Sequence, residues 1–415
     1  MHYDFIIVNQ PVNNRGDEAA HKALLRSLLC TLPSIKILIL FVNQNQDSVN
    51  QFDVRDSRVS YVNIQSLRGL QKIILFSIKY RCLCLSKIHP TAKKILGFLN
   101  HSNIVLCAPG GICMGGFQNW WHVALLSLAK ALNKPIAYYG RSIGPFPTKT
   151  PQNKEFKKIS LELLHYFSFL SLRDKKSMDL ADSLNIKYES TVDSAFLESP
   201  KIDVPKSISD SLDERPYIVF VPNLLIWHFA YKDKVSIDEV LKFYKEMLYC
   251  IVAKYPEHNI VMLPQTFNFG YYCGDDINFF RDLKTYAQYP KIIIIPDIYS
   301  SDIQQTIISK ADCLVGARYH SVVFAINQAI PFVALSYEHK ICGLLEALHK
   351  TDCMVDITKA FDSEENMQKT IEQFCRALNV VNVDVNAQIT AKKMARACFD
   401  KFVLFCTNCL TIDER

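Results

Sequence analysis

No run in this chain is apolar for the roughly 18–20 residues needed to span a bilayer. Ile37 to Val42 is only strand-length. The start, Met1-His2-Tyr3-Asp4, has neither a basic segment nor an apolar core. No signal peptide is expected there, and the chain reads as cytoplasmic. The 14 cysteines follow no repeating framework. Cys406 and Cys409 make one Cys-x-x-Cys, with no second pair or histidines nearby, so no zinc or other metal site is expected. Cys107, Cys250 and Cys313 lie in or beside apolar runs, where cysteine acts as a small hydrophobe, and reduced thiols are the simplest reading. No Walker loop, Gly-x-Gly-x-x-Gly or Asp-x-Asp occurs. Basic residues are spread without a recognised binding module, which argues against nucleic acid.

Acid is missing over a long stretch. Between Asp56 and Glu155 there is no Asp or Glu, against thirteen Lys and Arg from Arg58 to Lys154. Such a one-signed field attracts anionic ligands or surfaces. Within it, Leu67 to Ile88 sets Arg68, Lys72, Lys79, Arg81 and Lys87 among Leu, Ile and Phe. A basic amphipathic stretch of this kind suits the cytoplasmic face of a membrane. The alternative is a solvated face partnered by acids elsewhere in the fold.

What is present is ordinary globular composition: 415 residues, 49% hydrophobic and 21% charged. That length suits two domains. Strand-like runs at Tyr3–Val8, 35–42, Val59–Ile64, 103–108, 135–139 and 167–172 alternate with helical patterns. The alternation restarts at Tyr217 and continues through 259–263, 291–295 and Cys313 to Val315. Alternation of this kind means parallel sheets. The expected fold is therefore α/β, two Rossmann-like domains facing across a cleft. The expected boundaries are 1–199 (basic, acceptor side), a proline-containing linker at 200–216, 217–362 (donor side), and C-terminal helices at 363–415 packed back on the body.

Polar residues gather where strands end. Asn14-Arg15-Gly16-Asp17 follows the first strand, with Asp17 placed either to cap the next helix or to offer a carboxylate to a cleft. Pro109-Gly110-Gly111 reads as a glycine loop before a helix that starts near Phe117. Gly140-Arg141-Ser142-Ile143-Gly144 follows another strand, and Arg173-Asp174 opens a helix. Ala311 to Lys340 holds two strands around one helix start, with Gly316, Arg318 and His320 at the first strand's end and Lys340 beyond the second. Ligands of open α/β sheets bind at such ends, and helix N-termini favour anions. A phosphate or carboxylate is the expected guest.

Taken in order, these motifs resemble the polysaccharide pyruvyl transferase family. They are Asn14 to Asp17, Pro109 to Gly111, Ser142 to Phe146, Leu172 to Asp174, the Asp193 segment, and Gly316 to His320 with Ser336-Tyr337 and Lys340. The resemblance implies a fold like the two-domain (GT-B-like) glycosyltransferases. It implies transfer of a pyruvyl group from phosphoenolpyruvate, with no separate cofactor, to two hydroxyls of a saccharide that is polymeric or lipid-linked. His320 and Asp17 are the expected catalytic residues. Arg173, Arg318, Lys340, Gly110, Gly111, Arg141 and Ser142 are the expected substrate contacts, with Arg173 and Arg318 clamping the donor's two anionic groups. The alternative is a nucleotide-sugar glycosyltransferase of the same two-domain shape.

Overall fold

The computed structural model describes residues 2–50, 54–65, 69–212, 214–228, 230–267 and 275–412. Leu67 and Arg68 of the basic stretch therefore lie outside the described residues.

The first sheet contains β1 (Tyr3–Val8), β2 (Ile37–Val42), β3 (Val59–Ile64), β4 (Ser102–Cys107), β5 (Gly110–Gly115), β6 (Ile136–Gly144), β7 (Phe169–Leu172) and β8 (Glu189–Ser190). Its order is β3-β2-β1-β4-β6-β7-β8, with β5 paired to β6. The central register runs Phe5 beside Ile37 and Ile104, and Val8 beside Leu40 and Cys107, all parallel. Strand residues alternate between two cores. Ile6, Val8, Leu38 and Val105 join one cluster, and Phe5, Ile7, Ile37 and Ile104 join the other. A sheet covered on both faces needs this near-continuous apolar sequence.

The second sheet contains β9 (Tyr217–Val221), β10 (Asn259–Met262), β11 (Ile292–Ile294), β12 (Cys313–Gly316), β13 (Phe332–Ser336) and β14 (Met354–Asp356). Its order, β11-β10-β9-β12-β13-β14, is that of a doubly wound dinucleotide-type sheet. Chain direction of the order reverses between β9 and β12. That crevice, at the carboxyl ends, is where such sheets bind ligands.

The chain divides into two compact units that do not follow the expected boundaries. One is Met1–Val12, Ala20–Leu197 and Lys393–Arg415; the other is Asn13–Ala19 and Glu198–Lys392. Residues 13–19 thus leave the domain their position suggested. Hydrogen bonds from Arg15 N to Gln265 O (2.8 Å) and from Phe267 N to Asn13 O (3.2 Å) stitch this segment beyond β10. The segment 363–415 is split as well. Phe399, Phe402 and Cys406 of the helix Val385–Ile412 complete a core of the first sheet. In the second unit, Cys375 on the helix Glu364–Val380 forms a disulfide with Cys250 on the helix Ile237–Lys254. Cys250 is therefore not the unpaired apolar filler expected of it. The expected linker at 200–216 contains a helix, Lys206–Leu212, that buries Ile208.

Two stretches expected as loops are strands. Gly110–Gly115 is β5, and β6 runs on through Arg141 and Ser142 to Gly144. The glycines serve close strand packing here: a Cβ on Gly115 would fall 2.5 Å from the carbonyl oxygen of Gly144. The following helix starts at Trp120, not near Phe117, because Asn119 caps it by accepting from His122 N.

Candidate anion site at the carboxyl ends of the second sheet

In the second unit three chain segments converge on Arg318. This residue stands two positions beyond the end of β12 and directly precedes the helix Tyr319–Gln328. Its Nε donates to Asp276 Oδ1 at 3.1 Å, and its Nη2 also bonds that oxygen. Nη2 donates to Thr266 Oγ1 at 2.7 Å as well. The other carboxylate oxygen of Asp276 accepts from the backbone N–H groups of Gln265 (2.8 Å) and Thr266 (3.0 Å). Asp276 therefore locks one edge of the guanidinium to the backbone beyond β10. Burial disfavours the charge on Arg318, but Asp276, with Tyr337 and Tyr244, together leave the guanidinium above its ordinary pKa. The Trp227 ring lies 5.6 Å from Arg318 Cζ, a cation–π contact.

His320 stands in the first turn of the same helix, 7% exposed. Its ring lies directly on Gly16: a Cβ there would sit 1.9 Å from His320 Cγ and Nδ1. Only glycine leaves space for this contact, so the Asn14-Arg15-Gly16-Asp17 turn and the His320 imidazole are built together. Asn14, not Asp17, caps the helix Arg15–Thr31. Its Oδ1 accepts from Gly16 N (2.8 Å) and Asp17 N (3.2 Å). Serving no cap, Asp17 is 9% exposed in the first helical turn. Its neighbour Glu18 takes the structural work. Glu18 bonds Arg15 Nη1 at 2.5 Å and accepts from Ser301 N and Oγ, each at 3.1 Å.

Beyond β13, Lys340 Nζ lies 3.2 Å from Glu338 Oε1. Burial pushes the Glu338 carboxyl up, but Lys340, His228 and His339 together hold it below the usual carboxylate range. His228 Nε2 is 3.9 Å from Glu338, and burial lowers its own pKa. Trp227, His228 and Tyr337 pack edge to face, with centroids 5.5–6.3 Å apart. Thus Arg318, His320, Asp17 and Lys340 all belong to the second unit. The sequence reading missed Asp276, Trp227, His228 and Glu338. The aromatic-polar run Trp227-His228 after β9 was the available signal. Asp276 offered none, because its partner lies 42 residues on.

The remaining expected contacts belong to the first unit, where Arg173, Arg141, Ser142 and Gly110 are buried and Gly111 is half-buried. Arg173 is ion-paired with Asp193, both side chains nearly inaccessible at 3% and 0%. Arg141 is fully buried. Its Nη1 donates to Ala108 O, and its Nη2 to Gly111 O at 3.2 Å and to Cys113 Sγ at 3.0 Å. Around it, burial pushes the Cys107 thiol up to about 11 and drives His122 well down, helped by the Arg141 charge. Ser142 is 1% exposed, and Gly110 pairs with Arg141 within the sheet. Arg141 with Gly111 and Cys113, and Arg173 with Asp193, are thus two buried polar groupings of the first unit.

The class is thus a pair of Rossmann-like parallel α/β units, one of them with Arg318 and His320 as a candidate anion site at its switch point. Residues 14–339 match the model of the polysaccharide pyruvyl transferase family, and the chain belongs to that family. Among curated proteins it is 21% identical over 262 residues to the amylovoran biosynthesis protein AmsJ of Erwinia amylovora. That match spans 59% of this chain and 61% of AmsJ. Among solved structures, a UDP-GlcNAc 2-epimerase from Neisseria meningitidis superposes with a TM-score of 0.55 at 13% identity, over 96% of this chain and 99% of the other. A putative UDP-N-acetylglucosamine 2-epimerase from Listeria monocytogenes gives 0.56 at 11%, over 95% and 91%. The trehalose 6-phosphate synthase of Burkholderia multivorans gives 0.54 at 10%, over 100% of both chains. At such identities the likeness is one of fold, the GT-B-like fold expected from the sequence.

Proposed function

We propose that this protein transfers the pyruvyl group of phosphoenolpyruvate to two hydroxyls of a sugar, in a polysaccharide or its lipid-linked precursor, at the inner face of the cytoplasmic membrane. The observation that carries the reading is Arg318, clamped by Asp276 at the switch point of the second sheet, beside His320 on Gly16. A fixed, permanently charged fork is the group that recognises phosphate or carboxylate.

The reaction balances without a further cofactor. One sugar hydroxyl adds to the enol carbon that carries the phosphate while the methylene carbon takes a proton and becomes methyl. The second hydroxyl then attacks the same carbon as the C–O bond to phosphate breaks. Two hydroxyl protons are released, one matched by the proton on the methyl group and one leaving with phosphate. His320 is the side chain assigned to give or take these protons, since imidazole has one nitrogen that can donate and one that can accept. Asp17, free of capping work, is the carboxylate to orient or deprotonate a hydroxyl. Lys340 supplies positive charge next to the leaving phosphate.

The test is thermal unfolding with phosphoenolpyruvate, UDP, phosphate and pyruvate, on the natural chain and on Arg318→Ala. A ligand bound only to the native state raises the midpoint by mass action. Stabilisation by phosphoenolpyruvate that disappears in Arg318→Ala is the expected result. Stabilisation by UDP alone would move the protein to glycosyl transfer.

A further inference from the structure

The helix Leu70–Lys79 is apolar on two faces. Leu70 and Ile74 are buried in a core of the first sheet. On the outer side Ile73, Phe76 and Tyr80 are 44%, 54% and 57% exposed. Their spacing lines them along one helical stripe. The Phe76 and Tyr80 rings pack together with centroids 4.5 Å apart, which makes a continuous apolar ridge. Lys72 and Lys79 flank the ridge, Arg81 lies just past it and Lys87 stands in the next helix, Leu83–Ile88; all four are exposed. Glu155 approaches Lys79 at 3.8 Å, but between exposed side chains such a pair counts for little. No acid occurs from 57 to 154 to neutralise this face from its own stretch of chain. A helix that merely covers a core places polar residues outward. This one places two aromatics and an isoleucine there, with Lys72 and Lys79 along one side.

We propose that this surface seats the protein on an anionic lipid bilayer. Ile73, Phe76 and Tyr80 enter the headgroup boundary, while Lys72, Lys79, Arg81 and Lys87 meet lipid phosphates. Charge decides the occupant. A second copy of the same face would set cation against cation. An apolar protein partner would make no use of these lysines. Attachment is peripheral and reversible, since no helix among the described residues is long and apolar enough to cross a membrane. The surface belongs to the first unit and the anion site to the second, so docking and pyruvyl transfer can each fail without the other.

The experiment is flotation of the full chain with vesicles of phosphatidylcholine alone and of phosphatidylcholine with phosphatidylglycerol in equal parts, at low and high salt. Expected are binding to the anionic vesicles only, weakening with salt, and loss of about tenfold or more in affinity for F76S/Y80S. Lys72→Gln with Lys79→Gln reduces binding in the same direction. Tyr249→Ser, which removes an aromatic of similar exposure (48%) in the second unit, leaves it unchanged. Thermal unfolding verifies that each variant is folded, and Ile73→Ser replaces any that is not. The proposal falls if anionic vesicles do not float the protein, if salt has no effect, or if folded ridge variants float as well as the natural chain. It also falls if Phe76→Ser instead abolishes a concentration-dependent dimer.

Discussion

Arg173 and Arg318 carry a similar local signature: each lies between the end of a parallel strand and the start of a helix, and each is ion-paired with an aspartate. Their surroundings differ. The partner of Arg173, Asp193, uses its other oxygen to accept from Ala195 N at 3.0 Å, inside the 3₁₀ turn Ser194–Leu197. That pair ties a strand end to a turn within its own unit. The partner of Arg318 is anchored to two amides of a distant loop, and the guanidinium faces Trp227, while His320, two residues on, lies against Gly16. An arginine at a strand-to-helix junction is therefore not in itself a ligand contact. The two arginines differ in what holds them and in what stands beside them.

The comparison breaks most visibly at Asp193. Replacing it by Ala leaves the Arg173 charge buried, so about 3–5 kcal/mol of stability should vanish in denaturant unfolding. A joint R173M/D193L chain should recover most of it. If D193A is as stable as the natural chain, Arg173 is not the structural member. On the other side, Arg318→Ala should fold and lose about 10²-fold or more in kcat/KM with phosphoenolpyruvate. Arg318→Lys should restore little, because a point charge does not reproduce a fork. Asp276→Asn keeps the shape but weakens the anchor, and about tenfold in kcat/KM is expected to go, mostly through KM for the donor. Equal kinetics for D276N and the natural chain would remove Asp276 from the site.

Gly16→Ala tests the other contact. Its Cβ meets the His320 ring, so the imidazole must move. About 1–3 kcal/mol of overpacking strain is expected, with an altered pH profile of turnover. The smallest effect concerns acid. The folded Glu338 carboxyl lies below its unfolded value of about 4.3, so its contribution is complete above that pH and lost as pH falls through the depressed folded value. Thermal midpoints should therefore fall less steeply below about pH 4.3 in Glu338→Gln than in the natural chain. Parallel curves would mean that the Glu338–Lys340 pair does not matter to stability.

Much of the fold was legible, because strands buried on both faces must be apolar throughout. β1 and β3 have the limits their apolar runs indicate. β5 was not legible. Gly110-Gly111 and Gly115-Gly116 look like turn residues, and their strand state rests on pairing with β6, which local sequence does not encode. The helix cap slipped for a similar reason. Asn14 and Asp17 both suit the position, and only the stitch between residues 13–15 and 265–267 sets where the helix begins. Arg141 shows the limit for site reading: glycine and cysteine neighbours on β5 close over it, and nothing along the chain marks the arginine as interior. Asp276 and Glu338 escaped because an anchor is defined by its partner in space.

The split of the helix Val385–Ile412 bears on how the molecule is made. Phe399, Phe402 and Cys406 belong to the core of the first sheet, yet all of the second unit's long segment, Glu198–Lys392, is synthesised before them. On the ribosome the first sheet must wait with part of one face uncovered while nearly two hundred residues emerge. A nascent chain paused anywhere in that interval exposes Phe169 and Tyr139, the rings that later pack on Phe402. Chaperone demand and aggregation during translation should therefore track the arrival of this last helix, not the completion of either sheet.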